Sequence, residues 1–259
     1  MNAGPRVSSR RSTRSLRGIR GAARLVATGV GVAAAAYAGL VAHSWYRYGS
    51  PHPAVTDDAD ALLDRFMPIY EVVERHRVRV RASAPITLAA ARDQDLLASP
   101  VIRAIFKARA VALGSRSDER ARPRPVISQM LSLGWGLLVD VPDREIVMGA
   151  VTKPWEPNPR FHAINPGQFA AFNDPEYVKI VWSLRADPLG TDESMFRTET
   201  RAAATDTFAR LKFRRYWALV SPGVALIRQA SLGPLKADAE RRARQSARQR
   251  SRSQATAPE

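Results

Sequence analysis

Alternation of apolar and polar positions is the first signal along this chain. In "EVVERHRVRVRAS", Val72, Glu74, His76, Val78, Val80 and Ala82 share one face, and Arg75, Arg77, Arg79 and Arg81 share the other. Period two with one charged face predicts a half-exposed strand. In "SLGWGLLVDV", Leu133, Trp135, Leu137, Val139 and Val141 fall together, and "PDR" at 142–144 supplies a turn before "EIVMGAV" returns with Ile146, Met148 and Ala150. "YVKIVWSLRAD" aligns Val178, Ile180, Trp182, Leu184 and Ala186 against Tyr177, Lys179, Ser183 and Arg185. After the hairpin loop "PLGTDE", the run "SMFRTETRAAA" sets Phe196, Thr198, Thr200 and Ala202 against Arg197, Glu199 and Arg201.

Helical spacing separates and follows these strands. Ser83 and Pro85 open a short helix through Arg92, and Ser99-Pro100 opens a second, with Ile102, Ile105, Phe106 and Leu113 on its apolar side and Gly114 at its end. "SRSDERARPRP" (115–125) reads as a charged loop, and the proline-rich stretch after Lys153-Pro154-Trp155 as another. From Asp206, a predicted N-cap, Ala209, Phe213, Tyr216, Trp217, Val220, Val224 and Ile227 step by three or four, one face of an amphipathic helix, while Arg210, Arg214 and Arg228 lie off it. Pro222-Gly223 predicts a kink there, because proline removes a backbone donor and crowds the preceding turn. Strand, two helices, antiparallel strands and one long helix make an α+β order in which the helix must cover the apolar face of the sheet.

The N-terminus changes the picture. Leu25–Ala42 is 18 residues without a charge, followed by Trp45, Tyr46 and Tyr48 at the place of an interfacial aromatic belt. Gly29, Gly31, Ala33 and Ala35 would permit close helix packing. Three readings stand: a transmembrane helix with a cytoplasmic N-terminus; a signal peptide cleaved near "AYA" at Ala36–Ala38, giving a secreted protein; or an Ala-rich helix of a cytoplasmic one. The domain expectation is a disordered Arg-rich head (1–24), the apolar helix (25–45), a linker (46–60), the folded domain (61–233) and a disordered basic tail (234–259).

Net charge is +16 over 259 residues. Residues 1–24 carry +7 and residues 234–259 carry +4, so the basicity is concentrated in the tails. Such Arg blocks are solvated and can touch anionic partners. With no cysteine and four histidines, thiol catalysis, zinc–cysteine sites and disulfides are excluded. Phosphate-loop, HExxH and GxSxG motifs are absent, and no cofactor or metal is expected.

The stretches "YEVVERHRVRV", "SPVIRAIFKARAVALG", "LGWGLLVDVPDREIVMGAVTKPW", "YVKIVWSLRADPLG", "FRTETR" and "KFRRYWALVSPG" resemble the START/SRPBCC (helix-grip, polyketide cyclase-like) superfamily, in particular an uncharacterised bacterial group, over residues 65–235. That resemblance implies a curved antiparallel sheet wrapped on the long C-terminal helix with a ligand cavity between them. It implies a hydrophobic small molecule or lipid as partner. Trp135, Trp155, Ile180, Trp182, Phe196, Thr198, Phe213, Tyr216, Trp217 and Val220 would line the cavity, Trp155 near its mouth, although aromatic stripes at such spacings also serve as plain core.

The expected function is therefore non-catalytic, membrane-tethered binding of that ligand. A rival is an enzyme of the cyclase or hydrolase kind, with Glu74, His76 or Tyr216 as acid–base groups. A third reading, anionic-surface or nucleic-acid binding through the Arg tails, ranks last because the runs lack interleaved aromatics. His162, in the proline-rich loop, reads as an exposed loop residue and not a base, and His43 and His52 are too scattered for a metal site. Asp57, Asp58 and Asp60 read as a linker or N-cap cluster.

Overall fold

The computed structural model describes residues 12–51, 59–112, 114 and 125–255, with side chains left out at 12–27, 30, 112 and 255. His52, Asp57, Asp58, Leu113 and the charged loop at 115–124 lie outside the described residues, as does the head up to residue 11. The elements in chain order are α1 (Ser12–Arg47), α2 (Ala61–Phe66), β1 (Val72–Val80), α3 (Ala84–Asp93), a 3-10 turn (Leu96–Ala98), α4 (Pro100–Ala112), α5 (Val126–Ser132), β2 (Gly136–Val141), β3 (Glu145–Thr152), β4 (Phe161–His162), α6 (Pro166–Phe169), β5 (Val178–Pro188), β6 (Ser194–Ala204) and α7 (Thr207–Ala255). The strands form one six-stranded antiparallel sheet in the order β1-β6-β5-β3-β2, with β4 added beside β3. An α+β arrangement of an antiparallel sheet and a long C-terminal helix is what the alternating runs predict, and it is consistent with a helix grip.

The even-numbered positions of β3, β5 and β6 make the inner face. Ile146, Met148, Trp182, Leu184, Ala186 and Phe196 pack there with Leu88 and Ala91 of α3 and with Leu235 and Ala239 of α7. At the other end of the same face, Val72, Val178 and Ala202 pack with Phe213, Tyr216 and Trp217 of α7. The aromatic helix stripe is thus apolar contact with the sheet over its first turns, worth about 25 cal/mol per Å² removed from water.

Three elements differ from the expectation. The pattern at 132–141 is not one strand: α5 takes Val126–Ser132, and a register shift between Leu137 and Val139 turns the face over. Leu137 still pairs with Met148 of the inner face, but Val139 pairs with Val147 and turns to the other face beside the buried Leu138, which is what one extra residue in a strand does to alternation. The basic tail is not disordered over its described part: α7 runs on to Ala255, because Leu235 and Ala239 continue its buried stripe. Pro222 and Pro234 both lie inside it.

The charged face is covered over β5 and β6, where Ser183, Glu199 and Arg201 are buried, while Arg77 and Arg79 of β1 stay exposed as its alternation predicts. Asp60 starts α2 within the expected linker, accepting hydrogen bonds from the Leu62 and Leu63 amides at 3.1 and 3.0 Å, an N-cap as the acidic cluster suggested. Leu63, Phe66 and Met67 then pack with Phe169 of α6 on Leu138, Val147 and Val181. Gly149 leaves room for this, since a Cβ there would stand 2.6 Å from Leu138 and 2.8 Å from Phe169.

Polar groups trapped beneath this layer are paired. Arg201 is 1% exposed. It donates to Glu199 and Asp64, each at 2.6 Å, and to the Met67 carbonyl at 2.9 Å, with its guanidinium over the Tyr70 ring. Arg75 donates to the other Glu199 oxygen at 3.0 Å and to the Tyr70 hydroxyl at 2.8 Å. Removing one member of such a network leaves uncompensated buried charge. Arg201→Ala is expected to cost about 3–5 kcal/mol in urea unfolding; a loss under about 1 kcal/mol, as for an exposed pair, would contradict the network.

Glu145 is the exception. Burial first, then the neighbouring Asp60, pushes its carboxyl up to about 9 from 4.5, against the pull of Arg185. The folded protein holds a proton here that the unfolded chain releases. The contribution is full below about pH 4.5 and is lost as pH rises toward 9. Wild-type stability should fall across that window by up to about 1.4 kcal/mol per pH unit. Glu145→Gln should flatten the slope in thermal unfolding measured at several pH values; an unchanged slope would remove Glu145 as its cause.

Candidate functional site

The two aromatic clusters on the inner face are joined by polar residues. Glu74 and His76 sit inward on β1, opposite Thr200 and Thr198 of β6. Arg228 reaches them from α7. Its Nη2 donates to Thr200 Oγ1 at 2.9 Å, and its guanidinium lies 5.0 Å from the Trp182 ring. Burial pulls Arg228 down to about 10, with the Glu74 carboxylate acting the other way, so it remains a cation at neutral pH. The His76 Nε2 stands 3.5 Å from Glu74 Oε2, too far for a strong hydrogen bond, and it is buried without a hydrogen-bond partner. A cation, a carboxylate and an under-paired imidazole therefore meet between β1 and α7. Burying such groups is costly when their hydrogen bonds are incomplete.

The expected lining residues divide by position. Phe213 stacks with Tyr216, tilts against Trp217 and meets Tyr48 edge-on. Trp155 and Ile180 pack on this cluster, and Lys212 lies over the Trp155 ring. Trp182 and Phe196 belong to the other cluster, where Trp135 packs at the margin and stacks with Phe161. Val220 is half-buried on α7.

The polar handles among the expected residues are already engaged. Trp182 Nε1 donates to Thr198 Oγ1, and the Thr198 hydroxyl donates to the Ser183 carbonyl, both at 2.8 Å. The Tyr216 hydroxyl accepts from Arg109 Nε at 3.3 Å. Two open cavities, of about 630 and 480 Å³, lie elsewhere, and none of the ten expected residues lines either.

Arg228 carries the site and the pattern placed it off the apolar face. The buried stripe of α7 continues from Phe213 through Ser221 to Ser231, Leu235 and Ala239, and Arg228 lies on that line. Continuing the stripe to Leu235 and Ala239 would have found it; following Val220, Val224 and Ile227 and stopping there did not.

The membrane span expected at 25–45 falls partly on residues whose side chains are outside the described set. Among the described residues, no helix is long and apolar enough to cross a membrane. Helix α1 instead pairs with α7. The Tyr37 hydroxyl donates to the Leu219 carbonyl, the Ser44 and Ser221 hydroxyls meet at 2.7 Å, and Arg214 donates to the Trp45 carbonyl. Among the described residues there is also no group of three potential metal ligands.

No family model and no curated protein matches the chain. Solved structures with some likeness include the hypothetical protein jhp0584 from Helicobacter pylori, at 11% identity over 71% of this chain and 98% of that one, TM-score 0.35. They also include the Zhui aromatase/cyclase from Streptomyces sp. R1128, at 12% identity over 66% and 94%, TM-score 0.25. A third is norcoclaurine synthase from Thalictrum flavum, in complex with dopamine and hydroxybenzaldehyde, at 10% identity over 71% and 94%, TM-score 0.23.

The Trp182–Thr198–Ser183 chain of hydrogen bonds is a structural device with a measurable worth. Thr198→Val keeps the shape and leaves the buried indole N–H unpaired, for an expected loss of about 1–3 kcal/mol in urea unfolding. A neutral effect would show that the indole finds another acceptor.

Proposed function

We propose that this chain is a binding domain for a hydrophobic small molecule, held between the inner face of the sheet and α7 without chemical conversion. The observation that carries this reading is the polar stretch of Arg228, Glu74 and His76 set between two apolar clusters. A ligand with an apolar body and one oxygen-bearing group would lay the body along the Trp182 and Phe213 clusters. It would give Arg228 an acceptor and the under-paired imidazole a partner. Small-molecule sites combine apolar walls with a few polar groups in this way. Arg228 and Trp182 present a cation against a ring, and a planar ligand would be recognised by the same pair. The proposal that α1 tethers the domain to the membrane supplying the ligand rests on the uncharged run Leu25–Ala42 alone.

One observation favours an acid–base enzyme as a second reading: the 3.5 Å approach of Glu74 and His76 on the inner face. Catalysis would require the pair to close to hydrogen-bond length on substrate. The binding reading needs only the cation and the walls.

Native mass spectrometry of the full chain is expected to show a co-purifying apolar species. Arg228→Met should abolish its retention while leaving the unfolding midpoint equal or higher, because an apolar residue of similar volume replaces a buried charge. Trp182→Phe, which keeps an aromatic wall, should retain part of it. A chain that carries nothing, or an Arg228→Met variant that carries as much as wild type, ends this reading.

A further inference from the structure

The cleft of about 630 Å³ includes none of Arg228, Glu74, His76 and the ten expected lining residues. It opens where the end of α1 meets the first half of α7 and the turn after α6. Tyr48, Tyr70, Glu71, Lys179, Arg210 and Arg214 contribute its polar side chains apart from Asn173 and Thr205. Three cations therefore face a single carboxylate. Glu71 is fully engaged: one oxygen accepts from Arg210 at 2.8–3.0 Å and the other from the Ala204 amide at 2.6 Å. The other two cations are held only by neutral oxygens. Lys179 Nζ donates to the Ala170 carbonyl at 2.8 Å and to the Phe169 carbonyl at 3.4 Å. Arg214 donates twice to the Trp45 carbonyl, at 3.1 and 3.2 Å, with its guanidinium 4.2 Å from the Trp45 ring.

Two further observations point to an absent anion. Tyr48 lines this cleft, and its hydroxyl is buried and has no hydrogen-bond partner. Burial, then the nearby Glu71, pushes that phenol well above its usual range, so it is a proton donor at every physiological pH. Lys179 is pulled below the usual lysine range by burial alone, the mark of a cation without a counter-charge.

We propose that this cleft binds the phosphate group of an anionic ligand, with Lys179, Arg214 and the Tyr48 hydroxyl as its donors. A tetrahedral anion has enough acceptor oxygens for all three and supplies the charge that Glu71 does not. The cleft begins one residue beyond α1, whose Val32, Tyr37, Leu40 and Tyr46 are exposed. Phosphate reaches it either free in solution or as the headgroup of a lipid whose chains lie along that helix. This site lies apart from Arg228, Glu74 and His76, and the proposal does not rest on the one made for them.

Isothermal titration of the full chain with inorganic phosphate and with dihexanoyl phosphatidate tests the proposal and separates the two sources. Phosphatidate bound at least tenfold more tightly than phosphate assigns a lipid headgroup; equal or weaker binding of phosphatidate assigns free phosphate. In either case Tyr48→Phe should weaken binding about tenfold, the worth of one hydrogen bond to a charged group. The unfolding midpoint should not fall, since an unpaired hydroxyl contributes nothing to the empty protein. Adsorption to the Arg-rich termini is indifferent to this substitution. Lys179→Gln should weaken binding by at least as much. Binding of neither probe, or unchanged affinity in both Tyr48→Phe and Lys179→Gln, overturns the site.

Discussion

Helix α7 has to seal one face of a sheet with strands of up to 11 residues, and it does so by touching that face at two separated places. Ala209 and Phe213 close one end, and Leu235 and Ala239 close the other. Between them the stripe carries Ser221, Arg228 and Ser231 instead of large apolar residues. A helix pinned at both ends cannot withdraw Arg228 to solvent without losing one anchor. The guanidinium is therefore held against Thr200 and Trp182, where water reaches it poorly. The candidate site is a consequence of this two-point clamp, because the polar gap exists only while both anchors hold.

The opposite face is sealed by a different logic. There the strands carry Arg75, Arg197, Glu199 and Arg201, which a bare sheet would turn to water. The short α2 lies over them, and its burial is tolerated because nearly every charge finds a partner of opposite sign. Arg185 and Arg197 share Asp187 at 2.7 and 2.9 Å, as Arg75 and Arg201 share Glu199. Glu145 alone meets another carboxylate group, Asp60, and keeps its proton. The outer layer thus replaces hydrophobic selectivity with charge matching, and a misplaced register would strand several ions at once.

Strands were legible because their alternation is local: the inward residues of β5 and β6, from Ile180 to Ala202, are those the period-two pattern named. The short helices opened by Pro85 and Pro100 were legible for the same reason. What escaped was decided by partners distant in sequence. Asp60 reads as the end of a linker, and Ala61–Phe66 carries no periodic signal, because nothing nearby reveals that Phe169 and Val181 will pack with Leu63 and Phe66. Val139 reads as sharing a face with Leu137 because nothing local reveals the register shift that turns it to the outer face with Leu138. Arg228 reads as solvent-facing until the helix is extended past two prolines to Leu235. The cationic cleft has no signal in the sequence at all, since Tyr48, Lys179 and Arg214 come from three elements that meet only in the fold.

The two proposed sites are not mechanically isolated from each other. Tyr48 lines the cleft and packs T-shaped against Phe213, at 5.8 Å between centroids. Phe213 is in turn the centre of the cluster formed with Tyr216 and Trp217, which anchors the first half of α7 to the sheet. An anion that orders Tyr48 would therefore stiffen one of the two anchors that hold Arg228 in place. The ring pair is worth of the order of 1 kcal/mol, and Arg210 and Arg214 of the cleft lie on α7 itself. That is enough to bias, though not to switch, a helix whose other anchor at Leu235 is untouched. The geometry thus favours a domain in which occupancy at the foot of α1 tunes the hold of α7 on the sheet, with the grip itself set by the hydrophobic contacts.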